Sequence, residues 1–470
     1  MSVANAAERP VRSKLFLHFV TLATGDLSTR LLIALAWIVL ARRLGAATLG
    51  VVEFSLGILA YFQLAAQAGL DWTGMRRIAQ GGDVAATARD LLGLRLALAT
   101  GSFIVLVLVA ARLPQSGVGG LLVSYGLLLF SGAANLRWAF LAEERGRAVV
   151  FLGTVAQLVF LAAILALIDG PEHVRRLPWI QLSSEMVAVL GLALLFVRSG
   201  HPLAPHWAPA RWRVALREAL PIGATQLAGQ ILYNLDVVLL GLLGHLGRVG
   251  IYSAAYRVVL LLQVVPAAYF TAIFPALARE YDSPVRRGAS DLTGRTLHFV
   301  IAAVAPVSLV VFDRADWIVT TVYGATFQAA GVVLRLLVWS FPIVAVRALF
   351  RHLLVTTHQE RAHFVLSLGA AGLNVALNLA LIPRFHVVGA AVATLAAEAV
   401  LLLLVAGRAA RILGARALTH PAVGPLMASA AMAIALAAGG ASTHALRICT
   451  ALVVYLLALV LSWRVWGWPR

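Results

Sequence analysis

Charged residues are scarce in this chain: Asp, Glu, Lys and Arg make up 12% of its 470 residues, against about a quarter in a soluble domain. With 61% hydrophobic residues and a mean hydropathy of +0.90, that shortage excludes a soluble globular protein and indicates a polytopic membrane protein. Cysteine is limited to Cys449, so neither a disulfide within the chain nor a cysteine metal site is expected. Lysine is limited to Lys14, so nearly all the positive charge is arginine. No G-x-x-x-x-G-K-[ST] segment occurs, which removes the phosphate cradle that ATP hydrolysis would need. No polar stretch is long enough for a soluble catalytic domain on either face.

What the chain does have is long apolar runs. A helical span needs about 20 mostly apolar residues, and about fourteen such runs follow one another from residue 17 to residue 465. An open sheet cannot cross lipid, and a barrel would show short alternating segments instead. The expected fold class is therefore all-α, polytopic, with about 14 transmembrane helices. The net charge of +18 would suit a nucleic-acid binder in a soluble protein. Here the arginines sit in short loops between spans, as the positive-inside rule requires, and no nucleic-acid partner is expected. With the N-terminus inside, one set of loops holds Arg76, Arg77, Arg89 and Arg95, Arg211, Arg213 and Arg217, and Arg408, Arg411 and Arg416. The opposite set holds fewer cations, among them Arg42, Arg43, Arg175 and Arg176. Both termini are expected in the cytoplasm. The N-terminal charges Arg9, Arg12 and Lys14 resemble a signal n-region. The apolar stretch after them carries Asp26 and Arg30 and has no small-residue cleavage site, so it reads as a retained first helix.

The two halves echo each other. Leu44-Gly45 with Gly50 follows the first span, and Leu243-Gly244 with Gly250 follows the seventh. Leu182-Ser183-Ser184-Glu185-Met186-Val187 and Leu395-Ala396-Ala397-Glu398-Ala399-Val400 both fit L-x-x-E-x-V, late in each half. Two six-helix units of the same orientation imply a pseudo-two-fold axis along the membrane normal. The expected organisation is an N-terminal six-helix bundle over 1–198, a cytoplasmic amphipathic linker over 199–218, a C-terminal six-helix bundle over 219–410 and two extra transmembrane helices over 411–470. Trp207, Trp212 and the arginines of the linker suit the inner membrane surface.

Several segments carry a resemblance. Pro221-Ile222-Gly223 is followed by Asn234-Leu235-Asp236-Val237-Val238-Leu239-Leu240-Gly241 and by Val249-Gly250-Ile251-Tyr252-Ser253-Ala254-Ala255-Tyr256-Arg257. To these add Leu40-Ala41-Arg42-Arg43-Leu44-Gly45, Tyr323-Gly324 with Phe327, and Asn374, Asn378, Leu381-Ile382-Pro383 and Gly389-Ala390-Ala391. In order and spacing the chain resembles the polysaccharide transporter family, the Wzx-type O-antigen and lipid-linked oligosaccharide flippases. That family shares a superfamily with the lipid II flippase and the multidrug and toxin extrusion transporters. The resemblance runs from about residue 15 to 410, and the family core has twelve spans. It implies a flippase that moves a polyprenyl-pyrophosphate-linked oligosaccharide from the inner to the outer leaflet of the cytoplasmic membrane by alternating access, for surface polysaccharide biosynthesis. The partners it implies are the polyprenyl-pyrophosphate oligosaccharide, membrane lipids, and a polysaccharide polymerase or assembly proteins. No cofactor, metal or catalytic residue is expected. The alternative is a cation-coupled multidrug or toxin exporter of the same superfamily. An enzyme acting on lipid-linked sugars would need an acid pair near a membrane face; Asp313 with Asp316, and Asp169 with Glu172, are the pairs that could serve.

Arginines inside the spans are the candidate site. A cation at the bilayer centre costs about 2.5–3.5 kcal/mol on insertion scales, so it faces a cavity or a partner. Guanidinium also matches phosphate oxygens bidentately. Arg30, Arg137, Arg257, Arg335 and Arg347 are the expected substrate-binding residues. Arg351 follows Arg347 by one turn and reads either as part of the same site or as a residue snorkelling to lipid phosphates. Arg137 also reads as the end of the fourth span. Asp26 lies four residues before Arg30 and reads as its restraint or as a titrating group, or as half of a self-neutralising pair. Asp236 reads as an ion-coupling residue or as a charge partner, for Arg257 among others. Glu185 and Glu398 occupy equivalent repeat positions and suggest a shared structural role.

Overall fold

The computed structural model describes the backbone of residues 3–115, 117–282, 286–438 and 444–466, and side chains from Leu27 onward with a few exceptions. Asp26 lies outside the residues whose side chains are described. Among the described residues every regular element is a helix. Hydrocarbon offers no hydrogen bonds, so each spanning segment must satisfy its own backbone. Among the described residues, eleven helical stretches are long and apolar enough to cross a membrane. The all-α expectation holds, and the chain is a multi-pass membrane protein. The two longest helices, Val3–Gln67 and Glu360–Leu413, are each broken once, at Gly45 (φ 71°, ψ 172°) and at His386 (φ 52°, ψ −123°). Glycine adopts such a φ without cost; a histidine there stores about 1–3 kcal/mol of strain that its surroundings must offset. The Pro209–Leu242 helix is not among the eleven stretches, because Asn234, Asp236 and its charged first turns dilute its apolar run.

The chain divides into two compact units, Met1–Gly250 and Ile251–Arg470. In the first, the Pro209–Leu242 helix packs on the second half of Val3–Gln67, where the Asn234 amide donates to the Gly57 carbonyl at 2.9 Å. Residues 199–208 form no helix. They fold onto the start of the Val84–Ala110 helix: the His206 ring meets Asp90 at 2.8 Å and the His206 N–H donates to the Arg89 carbonyl, while Arg211, in the first turn of Pro209–Leu242, pairs with Asp90 at 3.1 Å. An apolar cluster of Leu70, Leu91, Trp138, Phe140, Phe196 and Ala219 closes this end of the unit.

Gly50 and Gly250 mark a crossing that no side chain could enter. A Cβ on Gly50 would fall 1.7 Å from the Leu246 carbonyl oxygen, and one on Gly250 would fall 2.0 Å from that of Ala46. These are the two glycines at equivalent positions in the sequence repeat.

In the second unit, the last two helices, Ala415–Ala438 and His444–Trp466, pack on each other and on Arg286–Asp313. Leu309, Ala428, Met432 and Tyr455 form their shared core. The Tyr455 hydroxyl donates to the Ala302 carbonyl at 2.8 Å. The fourth and tenth spans of the sequence are both interrupted. The fourth is divided into Val118–Gly126, Leu128–Ala134 and Arg137–Ala142, and the tenth into Ala330–Leu337 and Ser340–Thr356.

Candidate functional site

The Ser340–Thr356 helix starts after the interruption at Val338 and Trp339, with Pro342 in its first turn, where a missing N–H costs nothing. Arg347 and Arg351 are four residues apart and so share a face. The Leu246–Asp282 helix faces them with Gln263, Pro266, Ala267 and Phe270, a stripe at helical spacing. Between the two stripes lies a cavity of about 270 Å³, lined also by Val344, Ala345, Ala348 and His352.

The charges in this cavity do not balance. Arg347 pairs with Glu398 through Nε–Oε2 at 2.9 Å, and its Nη2 donates to Oε1 at 3.3 Å. Glu398 comes from the second half of the Glu360–Leu413 helix and is 9% exposed. No carboxylate among the described residues pairs with Arg351, which is exposed to the cavity. Since arginine does not deprotonate in proteins, the pair plus Arg351 leaves one positive charge in excess. The His352 Nδ1–H donates to the Ala348 carbonyl at 2.7 Å, and the ring stacks on Phe270 with centroids 5.5 Å apart. His363 lies within electrostatic range of both arginines. The cavity therefore offers guanidinium donors, a side-chain amide and an apolar wall to an anion.

The other expected residues fall elsewhere. Arg335 lies across the interruption, on Ala330–Leu337, and is tied to Asp316; it does not line this cavity. Arg137 is exposed at the first position of Arg137–Ala142, where the Asn135 carboxamide caps its backbone N–H at 2.9 Å. Arg30 is exposed on Val3–Gln67. Arg257 is half-buried on Leu246–Asp282, before the cavity-lining stripe. Asp236 is 1% exposed in the first unit and acts electrostatically on the Tyr61 hydroxyl. The acids that could have formed an enzyme pair are in contact with basic side chains: Asp313 with Arg314 and Arg447, Asp316 with Arg335, Asp169 with Arg43 and Glu172 with His173.

Arg95 is an important residue that the sequence does not single out. Read as a loop charge, it is 2% exposed. It donates to the carbonyls of Gly132 at 2.6 Å and Asn135 at 3.0 Å, and pairs with Asp71 at 3.1 Å. Those carbonyls lie where the fourth span is interrupted and the Gly132 carbonyl accepts from the Asn135 N–H at 3.3 Å in place of a regular helical bond, a feature that no spacing rule shows.

The two repeat-equivalent glutamates do parallel work. Glu185 accepts from the Ser131 hydroxyl at 2.6 Å, tying the sixth span to the interrupted fourth. Glu398 ties the twelfth span to the interrupted tenth through Arg347.

A family model described as "Polysaccharide biosynthesis protein" matches residues 18–280, more than half of the chain, and the MatE model matches residues 221–380. The chain is 26% identical over 160 residues to the probable low-salt glycan biosynthesis flippase Agl15 of Haloferax volcanii, covering 34% of each chain. It is 28% identical over 166 residues to the probable flippase AglR of the same organism, again over 34% of each. It thus spans about a third of the length of these curated relatives. Among solved structures it is similar to the lipid II flippase MurJ in an inward closed conformation, with a TM-score of 0.75 at 11% identity over 94% of this chain and 98% of that one. It is also similar to an inward-facing multidrug resistance MATE family transporter, with a TM-score of 0.59 at 15% identity over 82% and 95%. At these identities the likeness is one of fold. The family model covers more than half of the chain, and the chain belongs to the polysaccharide biosynthesis protein family, on a fold similar to those of MurJ and the inward-facing MATE transporter.

Proposed function

We propose that this protein is a flippase of lipid-linked oligosaccharides. It takes a polyprenyl-pyrophosphate glycan from the inner leaflet of the cytoplasmic membrane and presents it at the outer leaflet by alternating access, supplying surface polysaccharide synthesis. The observation that carries this reading is the excess positive charge between Arg347 and Arg351. Charge-assisted bonds to phosphate contribute about 1.5–3 kcal/mol each, enough to select an anionic head and weak enough to release it. The flippase names of the two Haloferax volcanii relatives support the same class. Arg30, Arg137 and Arg257 remain proposed contacts along the path of the head, and Arg335 a proposed contact reached only by releasing Asp316. The termini are proposed to be cytoplasmic, and a polymerase or assembly protein is the proposed consumer of the product.

The likeness to a MATE transporter and the buried Asp236 support a second reading, a cation-coupled exporter. A cavity with surplus positive charge repels cationic substrates, which weighs against it. Proteoliposomes separate the two. The flippase reading predicts that a polyprenyl-pyrophosphate oligosaccharide becomes accessible on the opposite leaflet and that organic cations do not move. Cation transport driven by a Na⁺ or proton gradient, without lipid translocation, would replace it with the exporter reading.

A further inference from the structure

Asp313 ends the Arg286–Asp313 helix, and two guanidiniums share its carboxylate. Arg447, in the first turn of His444–Trp466, bonds Oδ1 through Nη2. Arg314 brings its Nε to 2.8 Å from Oδ2, but the N–H is misaligned and makes no hydrogen bond. Arg314 is 8% exposed. Its Nε and Nη2, and the Nε of Arg447, are buried and donate to no acceptor among the described residues. Buried donors are normally bonded, and leaving those of a charged group without an acceptor costs more than leaving neutral ones. The nearby Asp316 carboxylate does not answer them. It is tied to Arg335 on Ala330–Leu337 and lies against Gly331, where a Cβ would fall 1.9 Å from its Oδ1. Three guanidiniums thus meet two carboxylates, and because arginine stays protonated one positive charge is in surplus.

The Ala315–Tyr323 helix starts at the same point. Arg314 is its N-cap, and no side chain caps its first turn. The N–H groups of that turn and the positive end of the helix dipole add to the local field. Trp317, on the same helix, is 63% exposed, as tryptophan at a membrane–water boundary is. Phe312 and Leu446, the chain neighbours of Asp313 and Arg447, are also exposed.

We propose that Arg314 and Arg447 hold the phosphate of a membrane phospholipid with one net negative charge, as in phosphatidylglycerol. The site lies at the junction between the last two helices and the rest of the second unit. Two observations commit it to this occupant. The buried donors call for an oxygen anion, and guanidinium edges fit phosphate. The surplus is a single charge: a lipid with one net negative charge cancels it, a zwitterionic lipid leaves it, and a pyrophosphate exceeds it. The phosphate bridges Ala315–Tyr323 and His444–Trp466, so the lipid staples the last helices to their neighbour. None of these residues lines the Arg347–Arg351 cavity, and the site stands independently of the flippase reading. Only its leaflet, the outer one, rests on the proposed orientation.

Native mass spectrometry of the full chain, stripped of lipid in detergent and titrated with phosphatidylglycerol or phosphatidylcholine, tests the site. Wild type is expected to hold one phosphatidylglycerol about tenfold more tightly than phosphatidylcholine. Arg447→Gln leaves Asp313 neutralised by Arg314, so it should stay monodisperse and lose that preference. Asp313→Asn raises the surplus to two charges and should tighten phosphatidylglycerol binding, a gain that a purely structural ion pair would not produce. In wild type, a phosphatidylglycerol with a diazirine beside its phosphate should label residues 312–317 and 444–450, a readout that needs no variant. Equal retention of the two lipids, a preference unchanged in both variants, or label scattered over other helices would overturn the site. Displacement of phosphatidylglycerol by equimolar polyprenyl pyrophosphate would give the site to the carrier, and displacement by inorganic phosphate would give it to a soluble anion; either result overturns the phospholipid.

Discussion

Arg347, Arg351 and Glu398 act as a set of three charges, and their substitutions should not be equivalent. Arg347→Ala leaves Glu398 buried without its partner, which costs about 3–5 kcal/mol when one member of such a pair is removed. The variant should fold poorly, and adding Glu398→Gln should restore yield and thermal stability without restoring transport; size-exclusion profiles and melting curves check this. Recovery of transport in the double variant would show that Arg347 serves only to neutralise Glu398. The helical spacing of Arg347 and Arg351 was legible in the sequence, because four residues on a helix fix a shared face. The place of Arg335 was not legible, because it lies before the interruption at Val338 and Trp339 and Asp316 reaches it from another helix. Gly50 and Gly250 were legible as a repeat but not as a contact. Gly250→Val should cost about 3 kcal/mol or more, as overpacking against rigid backbone does, and should abolish a monodisperse product in fluorescence-detected chromatography.

The interrupted spans depend on side chains that bond the backbone at the breaks. Arg95 does this for the fourth span, holding the carbonyls of Gly132 and Asn135 while Asp71 balances its charge. Arg95→Ala should destabilise by about 1–3 kcal/mol, since it takes a donor from two carbonyls at the interruption while the partly exposed Asp71 turns to water. Arg95→Lys should recover only part of this, because one ammonium lacks the fork that reaches both carbonyls; thermal melts of the detergent-purified variants check both. Ser131→Ala, which removes one hydrogen bond to Glu185, should cost about 1 kcal/mol. Helix existence and extent could be read from apolar runs, because lipid imposes them. The breaks could not. Prolines 221, 306 and 383 lie inside continuous helix, whereas the chain turns at Gly45 and at His386. The linker was legible as polar and aromatic, but its docking on Asp90 depends on a pairing between distant residues.

Across the whole chain, the halves repeat in sequence, yet packing divides it after Gly250 and places the Pro209–Leu242 helix in the first unit. The last two helices add to the core of the second unit by covering Arg286–Asp313. Family and fold could be recognised because motifs such as Asn374 with Asn378 and Leu381-Ile382-Pro383 keep their order. That Glu398 pairs with Arg347 and that the Leu246–Asp282 helix walls their cavity could not, since both depend on helices brought together from separate parts of the chain. The central claim is that surplus positive charge in the Arg347–Arg351 cavity carries a lipid-linked pyrophosphate across the membrane. Its most direct test is the rate at which a polyprenyl-pyrophosphate oligosaccharide becomes accessible on the far leaflet of proteoliposomes, wild type beside Arg351→Ala. One lost charge-assisted bond of about 1.5–3 kcal/mol predicts a fall of about tenfold to a hundredfold, with unchanged folding and orientation. Equal rates for the two proteins would contradict the account.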